Sequence, residues 1–274
     1  MRFGFVIPEI ARVEDVVALA QEAEAVGWDG FFNWDSSYFE EPKPLYDAWV
    51  TLTAIAMRTE RIRIGALLFA LYRRRPWEVA REAVTLDHLS NGRLVMPVGL
   101  GATDAHGGTR FGLPVDRRTR AELLDESLAV LDGLWTGEPF AFAGKHHRFE
   151  AATFLPRPVQ RPRIPLWVVG AWPSERSMAR ALRYDGVVVA KQGGELTPED
   201  VRAVVAYARE RRAAGAPFEV VVEGRTSADD PAAAAAVVRP WTDAGATWWV
   251  ESMWMPPNDL AAVRTRLRAG PPRY

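Results

Sequence analysis

The sequence predicts an α/β fold, a single (β/α)8 TIM barrel with an insertion after the fourth helix. Short continuous apolar runs begin near positions 2, 30, 62, 94, 166, 186, 218 and 247, and such runs are typical of strands buried on both faces. Segments of helical period separate the runs, as parallel strands require. A length of 274 residues suits eight such units, so we expect one barrel domain over 1–274.

The first apolar run, 2–7, is followed by an amphipathic helix. Val16, Leu19, Ala20 and Ala23 share one face at helical spacing, and Gly27 stands where a left-handed C-terminal cap is expected. The later run at 62–68 is followed by Pro76, which we place at the start of the third helix.

The fourth run contains Pro97, which has no N–H to donate to a strand ladder, so we expect a bulge or a skewed pairing there. A stripe from Leu124 to Trp135 then predicts the fourth helix, which ends before Gly137. The segment 139–165, rich in Pro, His and Phe, is the predicted insertion.

Two later helices carry start signals. Thr197-Pro198 and Asp230-Pro231 each place a capping side chain before a proline at the first helical position, where a missing N–H costs no hydrogen bond. Four tryptophans are expected to pack helices against the barrel: Trp28, Trp49, Trp77 and Trp135.

Composition narrows the function. The chain has no cysteine, which excludes thiolate nucleophiles, iron–sulfur clusters and thiolate zinc sites, so any redox chemistry requires a bound cofactor. Lys+Arg 34 against Asp+Glu 35 argues against nucleic-acid and anionic-membrane partners. The four histidines show no ligand spacing, and we expect no metal site. Short apolar stretches and an amino terminus interrupted by Glu9 predict a cytoplasmic protein without a membrane span.

Barrel enzymes carry their active sites at the carboxyl ends of the strands. Four carboxylates follow strands here, namely Glu9, Asp35, Glu223 and Glu251, and could belong to a hydrolase or be caps and arginine partners. Trp34 and Trp172 at the same rim offer flat surfaces for a planar ring system, or cover an empty mouth.

Glycine and arginine clusters also lie near this rim. Gly99-Leu100-Gly101 could approach a cofactor closely or form a simple tight turn, whereas Asp104 replaces the third glycine of a dinucleotide fingerprint. Arg73-Arg74-Arg75 precede the third helix and Arg117, Arg118 and Arg120 precede the fourth. These arginines either meet a phosphate or carboxylate, or lie in solvated loops with acidic partners.

Several segments together resemble the luciferase-like monooxygenase family of flavin- and deazaflavin-dependent barrels. They include Met1–Pro8, Ala20–Asp35, Asp47–Gly65, Phe111-Gly112, Glu122–Gly137 and Pro156–Gly186. The most specific match is Thr85-Leu86-Asp87-His88-Leu89-Ser90-Asn91-Gly92-Arg93, followed by a strand that ends Gly99-Leu100-Gly101. The resemblance implies a (β/α)8 barrel and a homodimer.

The resemblance also implies site residues. Asp35 matches the first residue of the family's Asp-His pair, but Ser36 stands where histidine is usual, which leaves Glu9, Asp35 and Ser36 as catalytic candidates. Leu67-Leu68 corresponds to the family's non-proline cis peptide behind the ring. The implied cofactor-binding residues are Trp34, Leu67, Leu68, Gly99, Leu100 and Gly101, and, in the phosphate loop, Gly170, Ala171, Trp172, Ser174, Arg176 and Ser177.

The function implied is that of an oxidoreductase of monooxygenase type, which acts on a small organic substrate with reduced FMN or the deazaflavin coenzyme F420. A separate flavin reductase is an implied partner. Ser36 and Ala171 motivate one alternative, a barrel that keeps the fold and cofactor binding but has lost turnover. A hydrolase that uses the rim carboxylates is the other.

Overall fold

A computed structural model describes residues 1–10, 12–102, 108–254, 256 and 258–272. Within these ranges, eight parallel strands follow one another around a nearly closed barrel, in the order β3-β2-β1-β10-β9-β8-β7-β4. The barrel strands are β1 (Arg2–Val6), β2 (Gly30–Asn33), β3 (Arg63–Ala66), β4 (Met96–Val98), β7 (Leu166–Trp172), β8 (Gly186–Lys191), β9 (Glu219–Gly224) and β10 (Trp248–Ser252). The predicted TIM barrel is confirmed.

Helices follow the barrel strands and cover the outside of the sheet. In the described part of the chain they are α1 (Val13–Val26), α2 (Ala48–Ala56), α3 (Pro76–Leu89), α4 (Arg117–Leu134), α5 (Glu175–Ala181), α6 (Pro198–Arg211), α7 (Pro231–Asp243) and α8 (Leu260–Arg268). None of these helices has the length and apolar character that a membrane span needs.

The helix ends follow the local chemistry. Gly27 caps α1 with φ +92°, Thr197 forms a capping box with Asp200, and the Asp230 side chain accepts from Ala233 N–H at 2.9 Å. One boundary prediction was wrong: Arg117 and Arg120 do not precede α4 but lie in its first turn, because Asp116 caps the helix through Thr119 N–H.

The barrel closes weakly between β3 and β4. These strands share only isolated bridges in the described residues, Ile64 with Leu94 and Phe69 with Val98. The Pro97 carbonyl accepts from Phe69 N–H at 2.8 Å. Since the N and O of one residue in a strand point to the same side, the missing N–H of Pro97 faces this open seam, not the regular β7 ladder. The expected irregular pairing at Pro97 is therefore present.

Two apolar layers fix the position of the site. Phe31, Leu52 and many other side chains pack between the sheet and the helices, where Trp28, Trp49 and Trp135 are buried as expected. The barrel interior is filled by Trp167 and Trp248, whose rings lie 5.0 Å apart, together with Val6, Phe32, Val95, Val188, Val221 and Val250. Because the two tryptophans lie at the starts of their strands, the filled end is the amino-terminal one.

The insertion after α4 forms an antiparallel hairpin of β5 (Phe140–Ala143) and β6 (Arg148–Ala152). Glu126 on α4 accepts hydrogen bonds from the N–H groups of Lys145, His146 and His147 at the hairpin turn. Phe149 packs edge-on against Trp77 of α3, with ring centroids 5.9 Å apart. The hairpin thus extends the helical layer on the outside of the barrel.

Candidate active site

A cavity of about 510 Å³ lies at the carboxyl ends of the strands, opposite the tryptophan-filled end. Its volume is within the range of small-molecule sites in proteins. The lining residues come from the carboxyl ends of the barrel strands, from the loops that follow these strands, and from α4 and α5. They are Trp34, Asp35, Leu67, Leu68, Arg73, Leu100, Gly101, Ala102, Arg117, Arg120, Leu124, Val169, Ala171, Ser177, Arg180, Ala190, Lys191, Gln192, Glu223 and Trp254.

One wall of the cavity is apolar and flat. Leu67 and Leu68 follow β3, and the peptide bond between them is cis, as the resemblance implies. Trp34 stands at the end of β2, and its ring meets Trp254 edge-on at 6.3 Å. With Leu100 and Val169, these side chains form a surface suited to a planar aromatic ligand.

Two glycines allow close packing beside this wall. A Cβ at Gly99 would lie 2.9 Å from Val169 Cγ2 and 3.0 Å from Leu68 Cδ2. Gly101 has φ +68°, and a Cβ there would lie 2.8 Å from Ala70 Cβ. Gly101 borders the cavity, whereas Gly99 supports the wall from behind. Asp104, which interrupts the dinucleotide fingerprint, lies outside the described residues.

The other side of the cavity carries arginines. Arg73 Nη1 donates to the Asp35 carbonyl at 2.7 Å, and Arg120 Nη1 donates to the carbonyls of Leu100 and Gly101 at 2.9 and 2.8 Å. The Nε atoms of Arg73 and Arg120 are buried without a hydrogen-bond partner among the described residues. Neither guanidinium has a carboxylate partner in that part of the chain, so both keep their positive charge available to a ligand.

Arg117 also lines the cavity, and its side chain has no ion pair with another described residue. The remaining two cations are already paired. Arg180 is held by both carboxylate oxygens of Asp125, at 2.6 and 2.8 Å, and Lys191 pairs with Asp200. The cavity therefore has an anion-attracting end formed by Arg73, Arg117 and Arg120.

The other arginines of the two clusters have the acidic partners that the sequence left open. Arg74 Nη2 lies 3.1 Å from both Asp35 and Asp47. Arg75 pairs with Glu78 at 3.6 Å, and Arg118 pairs with Glu122 at 3.1 Å. Each of the two arginine clusters thus has some members that line the cavity and others that form ion pairs outside it.

Asp35 lines the cavity, but its carboxylate already forms an ion pair. Its side chain is only 3% exposed, and Arg74 and the Ala70 N–H occupy its two oxygens. Ser36 is buried beside it, outside the cavity lining, and donates to the Tyr38 carbonyl at 3.2 Å. This loop therefore holds Arg73 in place and does not offer a free base.

The rim carboxylates do not form the pair that a hydrolase needs. Glu9 lies in a small separate pocket and pairs with Lys43 at 3.3 Å. Glu251 is fully buried and is engaged by Arg266, Thr226 and Trp249. Of the four, only Asp35 and Glu223 line the cavity.

Glu223 differs from the other three. Its side chain is exposed to the cavity, and its Oε2 accepts from Ser252 Oγ at 3.0 Å and Trp254 Nε1 at 3.3 Å. Its position deep in the barrel mouth raises the pKa of its carboxyl, and these two hydrogen bonds lower it by less. The sequence placed Glu223 at the rim but gave no reason to prefer it.

The predicted phosphate loop after β7 divides between two surroundings. Ala171 and Ser177 line the cavity, and Ser177 Oγ accepts from Ala171 N–H at 2.9 Å. Trp172 instead packs edge-on against Tyr207 of α6, 5.7 Å away, and Arg176 is exposed. Trp172 ends β7 at the rim but is not part of the cavity lining, because successive side chains of a strand point to opposite faces.

The two remaining loop residues also lie apart from the cavity lining. Gly170 is packed against Met178 and Val187, and Ser174 caps α5 without a side-chain hydrogen bond to the helix. Five lining residues were not expected at the rim from the sequence: Ala102, Leu124, Val169, Arg180 and Ala190. Lys191 ends β8 and Gln192 follows it, which is the position at which the sequence predicts rim residues. In the described ranges no group of three or more His, Asp or Glu side chains could hold a metal ion.

Comparison with known proteins places this geometry in context. A family model described as luciferase-like monooxygenase matches residues 1–270. An uncharacterised protein of Mycobacterium tuberculosis is 34% identical over 156 residues, which are 57% of this chain and 51% of that protein. The chain thus spans about half the length of the curated relatives it matches.

Solved structures share the fold at low identity. A monooxygenase from Streptomyces bottropensis has a TM-score of 0.79 at 20% identity, with 98% of each chain covered. The coenzyme F420-dependent tetrahydromethanopterin reductase from Methanopyrus kandleri has a TM-score of 0.76 at 18% identity, again with 98% of each chain covered. Structures with this fold include enzymes named for F420 and one bound to FMN.

Proposed function

Because this chain belongs to the luciferase-like monooxygenase family, we propose that it is an oxidoreductase of monooxygenase type that acts on a small organic substrate with reduced FMN or coenzyme F420. The observation that carries the proposal is a cavity lined both by large apolar side chains and by arginines that have no carboxylate partner among the described residues. A flavin has the same division between a planar ring and an anionic tail.

The residues present fit such a group. The buried Nε atoms of Arg73 and Arg120 lack partners among the described residues, and a buried donor without a partner is costly unless a ligand satisfies it. Gly101, whose Cβ would meet Ala70, leaves the backbone open beside these arginines. We assign the anionic tail to Arg73, Arg117 and Arg120.

We assign the ring to Trp34, Leu67, Leu68 and Leu100, and contacts along the chain that links ring and tail to Gly101, Ala171 and Ser177. A bound reduced flavin supplies electrons either to dioxygen or, as hydride, to an organic substrate. The side chains of this protein exclude water from the apolar wall and orient the cofactor, which are the tasks that the fold performs for a cofactor enzyme.

Asp35 has a positioning role in this proposal. Its carbonyl accepts from Arg73 Nη1 at 2.7 Å while its carboxylate pairs with Arg74 at 3.1 Å. Both arginines therefore depend on the same residue, and Asp35 fixes the direction of the Arg73 guanidinium without exchanging a proton. Ser36 keeps the turn in place through its bond to the Tyr38 carbonyl.

Cofactor titration tests the proposal. Oxidised FMN and oxidised F420 are added separately to the purified protein, and cofactor fluorescence and melting temperature are followed. We expect saturable binding of one of them with a rise in melting temperature. If neither cofactor changes either quantity, the proposal fails. Substrate-dependent reoxidation of the reduced cofactor then distinguishes a working enzyme from a barrel that has lost turnover.

The oligomeric state and the cellular location are part of the same proposal. We propose that 1–274 form one barrel domain and that the protein is a cytoplasmic homodimer supplied by a separate flavin reductase. Val50 on α2 and Met57 directly after this helix are 70% and 63% exposed, and this apolar surface supports the dimer. Light scattering tests the homodimer. Reoxidation assays with an added flavin reductase test the reductase as a partner.

A further inference from the structure

Glu223 is the carboxylate in the cavity that the proposed function does not use. It stands near the end of β9, and its side chain faces the cavity. Within the described part of the chain it has no ion pair, whereas Asp35, the other carboxylate of the cavity lining, is paired with Arg74 at 3.1 Å. Glu223 is thus the one described carboxylate of the cavity that is available to a ligand.

The two oxygens of Glu223 have different surroundings. Oε2 accepts both protein hydrogen bonds, from Ser252 Oγ at 3.0 Å and Trp254 Nε1 at 3.3 Å. Oε1 accepts none from the described residues. A protonated carboxyl group whose one oxygen already accepts two donors carries its proton on the other oxygen. Oε1 is therefore the atom of Glu223 that would hold a proton and that is open to a ligand.

We propose that Glu223 is the proton donor of this site, and that it transfers the proton from Oε1 to a basic oxygen or nitrogen of the substrate. The O–H bond at Oε1 breaks, a bond to hydrogen forms at the lone pair of the substrate atom, and the electron pair stays on the carboxylate. Ser252 and Trp254 stabilise the resulting charge through Oε2. This assignment rests on the proposed function and adds a catalytic residue to it.

The charged groups around Glu223 permit this role. Those that share its cavity are Asp35, Arg73, Arg117, Arg120, Arg180 and Lys191. On the adjacent strands, Lys191 of β8 is paired with Asp200, and Glu251 of β10 is paired with Arg266. The Glu223 side chain is exposed to the cavity, but its position deep in the barrel mouth raises the pKa of its carboxyl. Its proton therefore persists to higher pH than on a glutamate at the outer surface.

Infrared spectroscopy of the protein without cofactor tests the ionisation. The stretching band of protonated carboxyl groups is followed with pH in the wild type, Glu223→Gln and the control Glu195→Gln. Glu195 is an exposed carboxylate in the loop after β8 with no partner among the described residues. We expect the wild-type minus Glu223→Gln difference spectrum to contain a band that persists above the ordinary glutamate pKa of about 4.3. Burial also raises the pKa of Glu82 and Asp132, but these two groups contribute equally to both proteins and cancel in the difference.

Ser252→Ala provides a second variant, which keeps Glu223 and removes one donor to its ionised form. The midpoint of the same band should move to higher pH, since that hydrogen bond lowers the pKa of Glu223. If this difference band titrates in the ordinary glutamate range, or is absent, the proposal is overturned.

The transfer itself is tested with bound FMN. Dioxygen is the acceptor substrate in this assay, and its reduced oxygen is the basic atom that takes up the proton. We measure the rate at which dioxygen reoxidises the reduced, FMN-loaded protein from about pH 5 to about pH 9, a range that brackets the ordinary glutamate and histidine pKa values. In Glu223→Gln we expect a rate about 10²–10⁴-fold lower, no remaining pH dependence and unchanged affinity for FMN.

Glu195→Gln should reproduce the wild-type profile, and an unaltered profile in Glu223→Gln would exclude the proton donor. If neither FMN nor F420 binds to the wild type, the proposed function fails instead, while the infrared result still decides the ionisation of Glu223. The two failures are therefore distinguishable.

Discussion

Nη2 of Arg74 lies 3.1 Å from Oδ1 of Asp35 and 3.1 Å from Oδ2 of Asp47. The Asp35 side chain is 3% exposed, and Asp47 caps α2 through the N–H groups of Trp49 and Val50. One guanidinium thus joins the loop after β2 to the start of α2. This link explains why Asp35 lines the cavity without being a free base.

Removal of Arg74 should destabilise the fold. In Arg74→Met the nearly buried Asp35 carboxylate loses its cation, and breaking such a pair costs about 3 kcal/mol in the free energy of unfolding. Urea denaturation of Arg74→Met, Asp35→Asn and the double variant measures the coupling, and the double variant should recover part of the loss. Arg75→Met is the control, because its pair with Glu78 is exposed. Equal losses for Arg74→Met and Arg75→Met would contradict the prediction.

The assignment of the anionic tail predicts a difference between neighbouring arginines. Arg117 lines the cavity without an ion pair among the described residues, whereas Arg118 pairs with Glu122 outside it. Arg117→Ala should weaken FMN binding about tenfold, the value of a charge-assisted hydrogen bond at an accessible site, and Arg118→Ala should leave it unchanged. Fluorescence titration at low and high salt measures both. Equal affinities in the two variants would remove Arg117 from the tail site.

Gly101 and Gly112 have similar backbone conformations, so a comparison of their alanine variants separates the cost of packing from the cost of backbone strain. Gly101 has φ +68° and Gly112 has φ +66°, but only at Gly101 would a Cβ meet another atom, Ala70 Cβ at 2.8 Å. Both alanine variants lose about 1–2 kcal/mol from the left-handed backbone. Gly101→Ala should lose roughly 1–3 kcal/mol more from overpacking, and should also weaken FMN binding. Urea denaturation that finds equal losses would show that this loop relaxes.

The hairpin after α4 should loosen in acid. Hydrogen bonds from Lys145, then from His146 and Arg118, lower the pKa of Glu122 from 4.5 to about 2. A carboxyl with a lowered pKa stabilises the folded state above its unfolded pKa, and this contribution is lost as the pH falls from about 4.5 towards about 2. Hydrogen exchange at the amides of 145–147, expressed relative to the intrinsic exchange rate at each pH, should accelerate over that window.

The matched variants for this effect are Glu122→Gln and Glu150→Gln. Glu122→Gln should remove the part of the acceleration that Glu122 causes. Glu150 is exposed on β6 and has no ion pair within the described ranges, so its variant should keep the wild-type pH dependence. Acceleration that persists unchanged in Glu122→Gln would assign the effect to Glu126. The pKa of Glu126 is also lowered: burial raises this pKa, but hydrogen bonds from the backbone of the turn lower it by more.

Local chemistry was readable from the sequence. Each barrel strand begins within two residues of its apolar run, because a strand buried on both faces must be apolar throughout. Gly27, Thr197 and Asp230 cap the expected helices, since a cap depends on neighbouring residues only. The hairpin in the insertion was not predicted, as its two strands are only half-buried and carry little pattern.

The site depended more on tertiary structure. Trp172 and Arg176 were expected at the cofactor but are not among the residues that line the cavity, because the face to which a side chain near a strand end belongs depends on the barrel. Arg73 and Arg120, which are far apart in the chain, meet at one cavity only after the barrel closes.

The sequence by itself determined the order of strands and helices, the helix caps, the family and the set of rim residues, since each of these depends on local pattern or on similarity. Only the tertiary structure decided which rim carboxylate is free: Glu9, Asp35 and Glu251 have cations beside them, and Glu223 has two neutral donors. The physical reason is that the availability of a charge depends on its partners in space, and these come from distant strands and helices.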